Sequence, residues 1–474
     1  MKTYPMYIGG KPVDTGRHLD IVDPALEEPF ARVAAAGPEH VDAAVAAARA
    51  AFPAWAATPG SERAAMLHAL AGALEASMPE LMELVTRETG KPLQGLNNVG
   101  AGMELGGAIA WTHVTADLPL APEVIQDNEQ ARVEVHRKPL GVVASITPWN
   151  WPLMIAIWHV IPALRAGNTV VIKPSEFTPI ATSRFVELAN AILPPGVLNM
   201  VAGGGEVGAA LTAHPDVNKI VFTGSTRTGK RIMEGAAATL KRLTLELGGN
   251  DAGIVLPGVD VKAVAPKLFG VGFHNNGQTC ACLKRLYVHE SQVEELALEL
   301  AKLASRVKVG NGMEPGIELG PLQNRAQLDI VTALARDARE QGGRFLSGGE
   351  AREGKGYFFE PAIVTGLSNG TRLVDEEQFG PILPVIAYRD VEEAIRLAND
   401  NPNGLGGSVW SSDLALAVQV AGRLECGTVW INEHGAVQPD APFGGVKQSG
   451  LGVGFGRQGL EEFTSIQTVK TMKG

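Results

Sequence analysis

Cys280 stands in FHNNGQTCAC, a polar and non-helical setting where Gly277 permits a turn and a thiolate would be reactive. Glu246, in LTLELGGN, follows an apolar run and precedes Gly248 and Gly249. Partial burial there would raise its pKa and suit a general base; a salt-bridged structural glutamate is the alternative. The remaining cysteines are Cys282, close by, and Cys426 in RLECGTVW, so a four-sulfur site is unavailable and no metal is expected. His274 lies a few positions before Cys280, but that spacing on a turn does not guarantee a Cys–His pair.

Three turns compete for a phosphate. Gly203, Gly205 and Gly208 fit G-x-G-x-x-G between the strand-like VLNMVA and a helix, the context of a dinucleotide fingerprint; a tight turn without ligand explains them equally well. GSTRTGKR, from Gly224 to Arg231, differs from a Walker loop where Arg231 replaces the hydroxyl that would hold magnesium, which disfavours a nucleotidase. What survives is Gly224, Ser225 and Thr226 at the start of a helix, suited to hydrogen-bonding a pyrophosphate. In KPSE, Lys173 and Glu176 end the run NTVVIK, as groups facing a ligand at the carboxyl edge of a parallel sheet would, or as a solvated pair.

These residues must be positioned by alternating elements. Alanine-rich helical periodicity predicts helices over Glu39 to Trp55 and Ser61 to Thr89. From Gly141 onward GVVASI, NTVVIK, VLNMVAG and KIVFTG are each followed by a turn and a helix-like stretch, hence a parallel sheet. AGIVL, RLYVHE, AIVTGL, ILPVIAYR, GSVW and GTVWIN predict a second α/β lobe, with a cleft between the two. The segment Pro122 to Arg137 reads as an extended arm and EEFTSIQTVKT as a strand, both able to join sheets across subunits.

At 474 residues with 45% hydrophobic and 19% charged content, the chain buries a large core and is neither fibrous nor disordered. A formal charge of -10 with no basic patch argues against nucleic acid and anionic membrane surfaces. The apolar stretch Gly141 to Leu164 is interrupted by Pro148, Asn150, Pro152, His159 and Pro162, which favours a buried strand, a turn and a core helix over a membrane span. Three cysteines and the opening MKTYPMYIGG, without an apolar signal core, predict a reducing cytoplasmic location.

Seven motifs in order resemble the NAD(P)-dependent aldehyde dehydrogenase superfamily: TPWNWP, KPSE, FTGST, ELGG, GQTC, EEQFGP and PFGGVKQSG. The likeness runs from the YIGG opening to the final VKT. It implies two parallel-sheet α/β lobes, a Rossmann-like cofactor lobe and a catalytic lobe, with a small β oligomerisation arm. The implied division is 1–118 and 139–248 for NAD binding, 249–454 for catalysis, and 119–138 and 455–474 for oligomerisation into a homodimer or homotetramer. Cys280 would be the nucleophile, Asn150 would hold the oxyanion with the Cys280 N–H, and Glu246 would activate the water that hydrolyses a thioester. Ile146, Trp149, Lys173, Ser175, Glu176, Gly224, Ser225, Leu247, Glu377 and Phe379 match cofactor positions. Glu176 would accept from both adenosine-ribose hydroxyls and repel a 2′-phosphate, so NAD is preferred over NADP.

By the same resemblance Trp151, Met154, Trp158, Val437 and Phe443 line an aldehyde tunnel whose apolar character implies an uncharged aldehyde. Relatives acting on succinic semialdehyde carry an arginine in the place of Trp158. Betaine-aldehyde relatives enclose a cation with aromatics; Trp151 and Trp158 could serve here, but the matching places, His274 and Val437, carry no Phe, Tyr or Trp, which weakens a cation–π cage. SGLGVGFG departs from the arginine and glutamate of many relatives. A CoA-acylating relative is the nearest rival, and that branch typically lacks the glutamate at Glu246; a P-loop nucleotidase is the rival from another class.

Overall fold

The βα alternation from Gly141 onward builds a sheet with five central parallel strands: Arg242–Glu246, Lys219–Thr223, Val142–Ile146, Thr169–Lys173 and Leu198–Met200, side by side in that order. The computed structural model, which describes residues 1–473, adds antiparallel edge strands. Gly450–Leu451 flanks Arg242–Glu246, while Met6–Ile8 and Lys11–Val13 extend the other edge. Val142–Ile146, Thr169–Lys173 and Lys219–Thr223 are buried along their whole lengths, which is why they read as continuous apolar runs. Chain order reverses across Val142–Ile146, and the crevice outside such a reversal, at the carboxyl ends, is where open α/β sheets take ligands. Register puts Ile146 opposite Lys173, and Thr223 opposite Glu246, so these residues share that edge.

A second sheet runs Arg344–Phe345, Ala362–Thr365, Ile382–Tyr388, Arg285–His289, Ala252–Val255, Gly406–Trp410 and Thr428–Ile431, parallel except for the first pair. Its residues alternate between two cores: Ile254, Tyr287 and Val409 face one, Val255, Leu286, Val288 and Trp410 the other, as the strand period of two requires. Glu123–Asp127, Ala131–Pro139 and Thr464–Met472 form an antiparallel sheet of their own, so the arm and the tail pair within one chain.

Three expectations change. The helix predicted over Ser61 to Thr89 is two, Gly60–Ala76 and Met78–Thr89, broken at Ser77 because Pro79 has no N–H for the preceding turn and its ring would clash there. Gly450–Leu451, inside the segment 249–454 read as catalytic, hydrogen-bonds to the edge of the first sheet. An amino-terminal sheet of Lys2–Tyr4, Glu28–Ala34 and His18–Asp23 has no counterpart in the sequence reading. The apolar stretch Gly141 to Leu164 folds as the strand Val142–Ile146 and the helix Pro152–Arg165; among the described residues no helix is long and apolar enough to cross a membrane.

Candidate active site

Cys280 follows a left-handed turn. Gly277 has φ +72°, and a Cβ there would fall 2.4 Å from the Gly380 carbonyl oxygen, so no other residue fits. The thiol meets three cavities. The largest, about 590 Å³, is lined by Trp151, Met154, Trp158, Val437 and Phe443, with Trp111 added from the helix Ala101–Asp117. The second, about 240 Å³, lies at the carboxyl edge of the first sheet among Trp149, Gly224, Ser225, Leu247, Glu377 and Phe379. The two large cavities share a single lining residue, Cys280. A third, about 40 Å³, lies between Cys280 and Glu246 beside Thr223, Thr244 and His159, with room for a water.

Asn150 is held from both ends. Its Nδ2 donates to the Gln278 carbonyl at 2.9 Å, next to the nucleophile's segment. Its own carbonyl accepts from Lys91 Nζ at 2.9 Å and from Asn275 Nδ2 at 3.1 Å. Lys91 and its partner Glu104 are fully buried, and Glu104 Oε1 also accepts from the Leu153 and Met154 N–H groups in the first turn of Pro152–Arg165. A carboxylate at a helix amino end satisfies donors the helix itself cannot. One ion pair therefore fixes both the Asn150 main chain and the helix carrying Trp158. Lys91 also sits 3.3 Å from the centre of the Trp151 ring.

Among the described residues no group bonds either carboxyl oxygen of Glu246, and burial alone pushes its pKa well above the ordinary value. Burial likewise pushes the Cys280 thiol up to about 12; Lys284 opposes this, while Glu246, Glu377 and Asp251 add to it. The resting thiol is therefore protonated, and attack on an electrophile requires a nearby group to take the proton as the bond forms. His159, which lies between Ser145 Oγ (3.1 Å) and Thr223 Oγ1 (2.9 Å), is held neutral by burial at a pKa of about 3. His274 has its Nδ1 3.1 Å from the Gly270 carbonyl and makes no hydrogen bond to Cys280, which removes the Cys–His pair. Cys282 Sγ points at the Gly277 carbonyl and Cys426 Sγ at the Thr428 carbonyl.

On the cofactor side, Trp149 and Phe379 meet edge to face at 5.4 Å. Glu377 Oε1 accepts from the Gly249 N–H at 3.2 Å and from Lys284. Gly248 forms a cradle for the same carboxylate, since a Cβ there would fall 2.2 Å from Glu377 Oε2. Ser225 caps the helix Thr226–Ala236, its Oγ accepting from the Thr228 N–H, which leaves an amino terminus facing the cavity. Lys173 Nζ donates to the Gly203 carbonyl at 2.8 Å and lies 3.4 Å from Glu176 Oε2, while Ser175 Oγ accepts from the Phe177 N–H. Ile146 ends its strand with its side chain in the core rather than in the cavity. In the Gly203 to Gly208 turn, Glu206 Oε1 already accepts from the Gly204 N–H, so a carboxylate of the chain stands where a phosphate would. Arg231, on the would-be Walker loop, is exposed.

Four residues escape the sequence reading: Lys91, Glu104, Trp111 and Lys284. Each acts across a long sequence separation, and only Lys284, in CLKR beside the reactive cysteine, leaves a local trace, a charge between two apolar runs.

The aldehyde dehydrogenase family model matches residues 12–469. The chain is 39% identical to phenylacetaldehyde dehydrogenase of Pseudomonas fluorescens over 98% of this chain and 95% of that one. It is 38% identical to the chloroplastic betaine aldehyde dehydrogenase of Beta vulgaris, again over 98% and 95%. An NAD⁺ complex of aldehyde dehydrogenase from Bacillus cereus superposes with a TM-score of 0.96 at 35% identity, over 99% of this chain and 96% of that one. A thiol shared by two cavities, an amide beside it and an unpartnered buried carboxyl across from it thus sit in a chain that belongs to the aldehyde dehydrogenase family.

Proposed function

We propose that the protein oxidises an uncharged aldehyde to its acid with NAD, through a covalent bond to Cys280. The observation that carries this is the position of Cys280, common to the apolar tunnel and to the groove at the carboxyl edge of the first sheet. The aldehyde enters past Trp151, Met154, Trp158, Val437 and Phe443, none of which carries a charge, while Lys267 and Glu433 on the same cavity are exposed. Cys280 sulfur attacks the carbonyl carbon as the thiol proton passes to Glu246. The Asn150 amide and the Cys280 N–H hold the oxyanion of the resulting thiohemiacetal. NAD, when bound, supplies the acceptor for the departing hydride. Once Glu246 has given that proton up to solvent, it takes one from a water in the small cavity; the water attacks the thioester carbonyl, and the departing Cys280 sulfur takes the proton back as the acid is released.

The groove fits the cofactor. Trp149 and Phe379 bracket its floor, the Ser225 helix terminus suits a pyrophosphate, and Glu377 Oε2, bonded to no donor among the described residues, is free to accept from a ribose hydroxyl. Lys173 and Glu176 would hold the adenosine ribose, Glu176 setting the preference for NAD; Ser175, Gly224 and Leu247 shape the groove around them, with Ile146 packed in the core behind its edge. Residues 1–118 and 139–248, joined at the sheet edge by Gly450–Leu451, serve the cofactor, and the rest of 249–454 the chemistry. Segments 119–138 and 455–474 join copies into a homodimer or homotetramer, supported by the exposed Ile125, Ile466 and Met472 on their common sheet. The three free cysteines support a reducing, cytoplasmic location.

The test is NADH formation across aliphatic, aromatic and charged aldehydes, with NAD and NADP in parallel. Cys280→Ala should abolish turnover while leaving NAD binding intact. Turnover surviving in that variant refutes the reading.

A further inference from the structure

Lys284 has a relative side-chain exposure of 1%, four residues after the nucleophile. Its ammonium has three protons and three acceptors: the Gly249 carbonyl at 2.9 Å, the Cys280 carbonyl at 2.7 Å, and Glu377 Oε1. The three belong to three segments of the site. Gly249 follows Glu246 in the connection between the two sheets, Cys280 is the nucleophile, and Glu377 lines the cofactor groove.

Burying an ammonium is expensive, and an apolar residue of the same length would fill the space at less cost. Two main-chain carbonyls do not need a charge. Glu377 does: it is largely enclosed, and burial raises its pKa against the pull of Lys284, so without the lysine it would tend toward the neutral acid. Burial works against the charge of Lys284 too, but Glu377, Cys282 and Asp251 outweigh it and hold the lysine charged. Lys284 engages one oxygen of Glu377 and leaves the other without a donor.

We propose that Lys284 is a positioning residue that locks Glu377, ionised and oriented, to the main chain of Cys280, so that a ribose hydroxyl taken by the free Glu377 oxygen sets the cofactor in register with the sulfur. This rests on the assignment of Glu377 to the nicotinamide-ribose side. The lysine touches neither reactant. It fixes the distance between the two groups that do, and hydride transfer depends on that distance.

Lys284→Met removes the charge at nearly constant length. The expected result is a drop in kcat/KM for NAD of about 10- to 100-fold, the range for losing a charged hydrogen bond. KM for the aldehyde should stay unchanged, and the isotope effect with an aldehyde deuterated at its carbonyl carbon should grow as hydride transfer becomes limiting. In a Glu377→Gln background the same substitution should do little, because the pair acts as a unit. If Lys284→Met does not fold, Lys284→Gln, whose amide keeps donors for the carbonyls, makes the same comparison. No loss toward NAD, an unchanged isotope effect, or additive losses in the double variant would each overturn the proposal. If Glu377→Gln alone leaves kcat/KM for NAD intact, the assignment of Glu377 fails instead.

Discussion

Asn150→Ala separates catalysis from stability, because the structure lets both magnitudes be worked out. The substitution deletes one neutral hydrogen bond, Asn150 Nδ2 to the Gln278 carbonyl. That carbonyl keeps Asn275 Nδ2 as a donor at 3.2 Å, and the residue 150 carbonyl keeps Lys91 and Asn275. No buried group is orphaned, so the stability loss is that of one ordinary hydrogen bond, about 0.5–1.5 kcal/mol, or a fall in Tm of no more than about 3 °C. In the transition state the same amide faces a developing negative charge. Losing one such donor costs about 2.7–4 kcal/mol, a drop of about 10²–10³ in kcat. Stopped-flow measurement of the NADH burst at saturating NAD reads the loss in rate, and calorimetry the loss in stability. A burst rate within about tenfold of the parent enzyme, below the floor for an oxyanion donor, would refute the role of Asn150. A rate loss accompanied by a large fall in Tm would trace the defect to the fold instead.

Glu246→Gln should give a slowed hydride burst, because the thiol loses its proton acceptor, and then stall, with the acyl adduct on Cys280 detected by mass spectrometry. Because burial raises the Glu246 pKa, its base form appears only above the ordinary carboxylate range, so the parent deacylation rate climbs with pH there and the climb disappears in the variant. Lys91→Met strands Glu104 as a buried, unpaired charge, and should cost about 3–5 kcal/mol in denaturant titration as well as slow the burst. Glu176→Ala should narrow the NAD-to-NADP ratio of kcat/KM by about fivefold, the upper end for one half-exposed charge (about 1 kcal/mol).

The parallel strands were legible because burial on both faces leaves a compositional mark: GVVASI, NTVVIK and KIVFTG hold Val142–Ile146, Thr169–Lys173 and Lys219–Thr223. Cys280 and Glu246 stood out as candidates because each lies beside turn-forming glycines in a short, unusual string, and Asn150 only through the resemblance that TPWNWP carries. The break at Ser77 was harder, since apolar periodicity continues across it and only Pro79 marks the stop. The generic glycine fingerprint misled, because Gly203 to Gly208 satisfies a pattern whose donors the chain itself occupies through Glu206. Lys91 with Glu104, and Lys284 with Glu377, could not be paired from sequence, because a buried charge reads like an exposed one until its partner is brought alongside by the fold.

That the two large hollows touch only at one sulfur also bears on how such a protein diversifies. Replacements along the aromatic wall can rewrite which carbonyl compound is accepted while affinity for the dinucleotide stays constant, and changes in the groove can retune the redox partner without narrowing the menu of substrates. Two traits that selection pulls in different directions are thereby carried by separate sets of side chains, and a library randomised at Trp111, Trp158 and Val437 samples one of them alone.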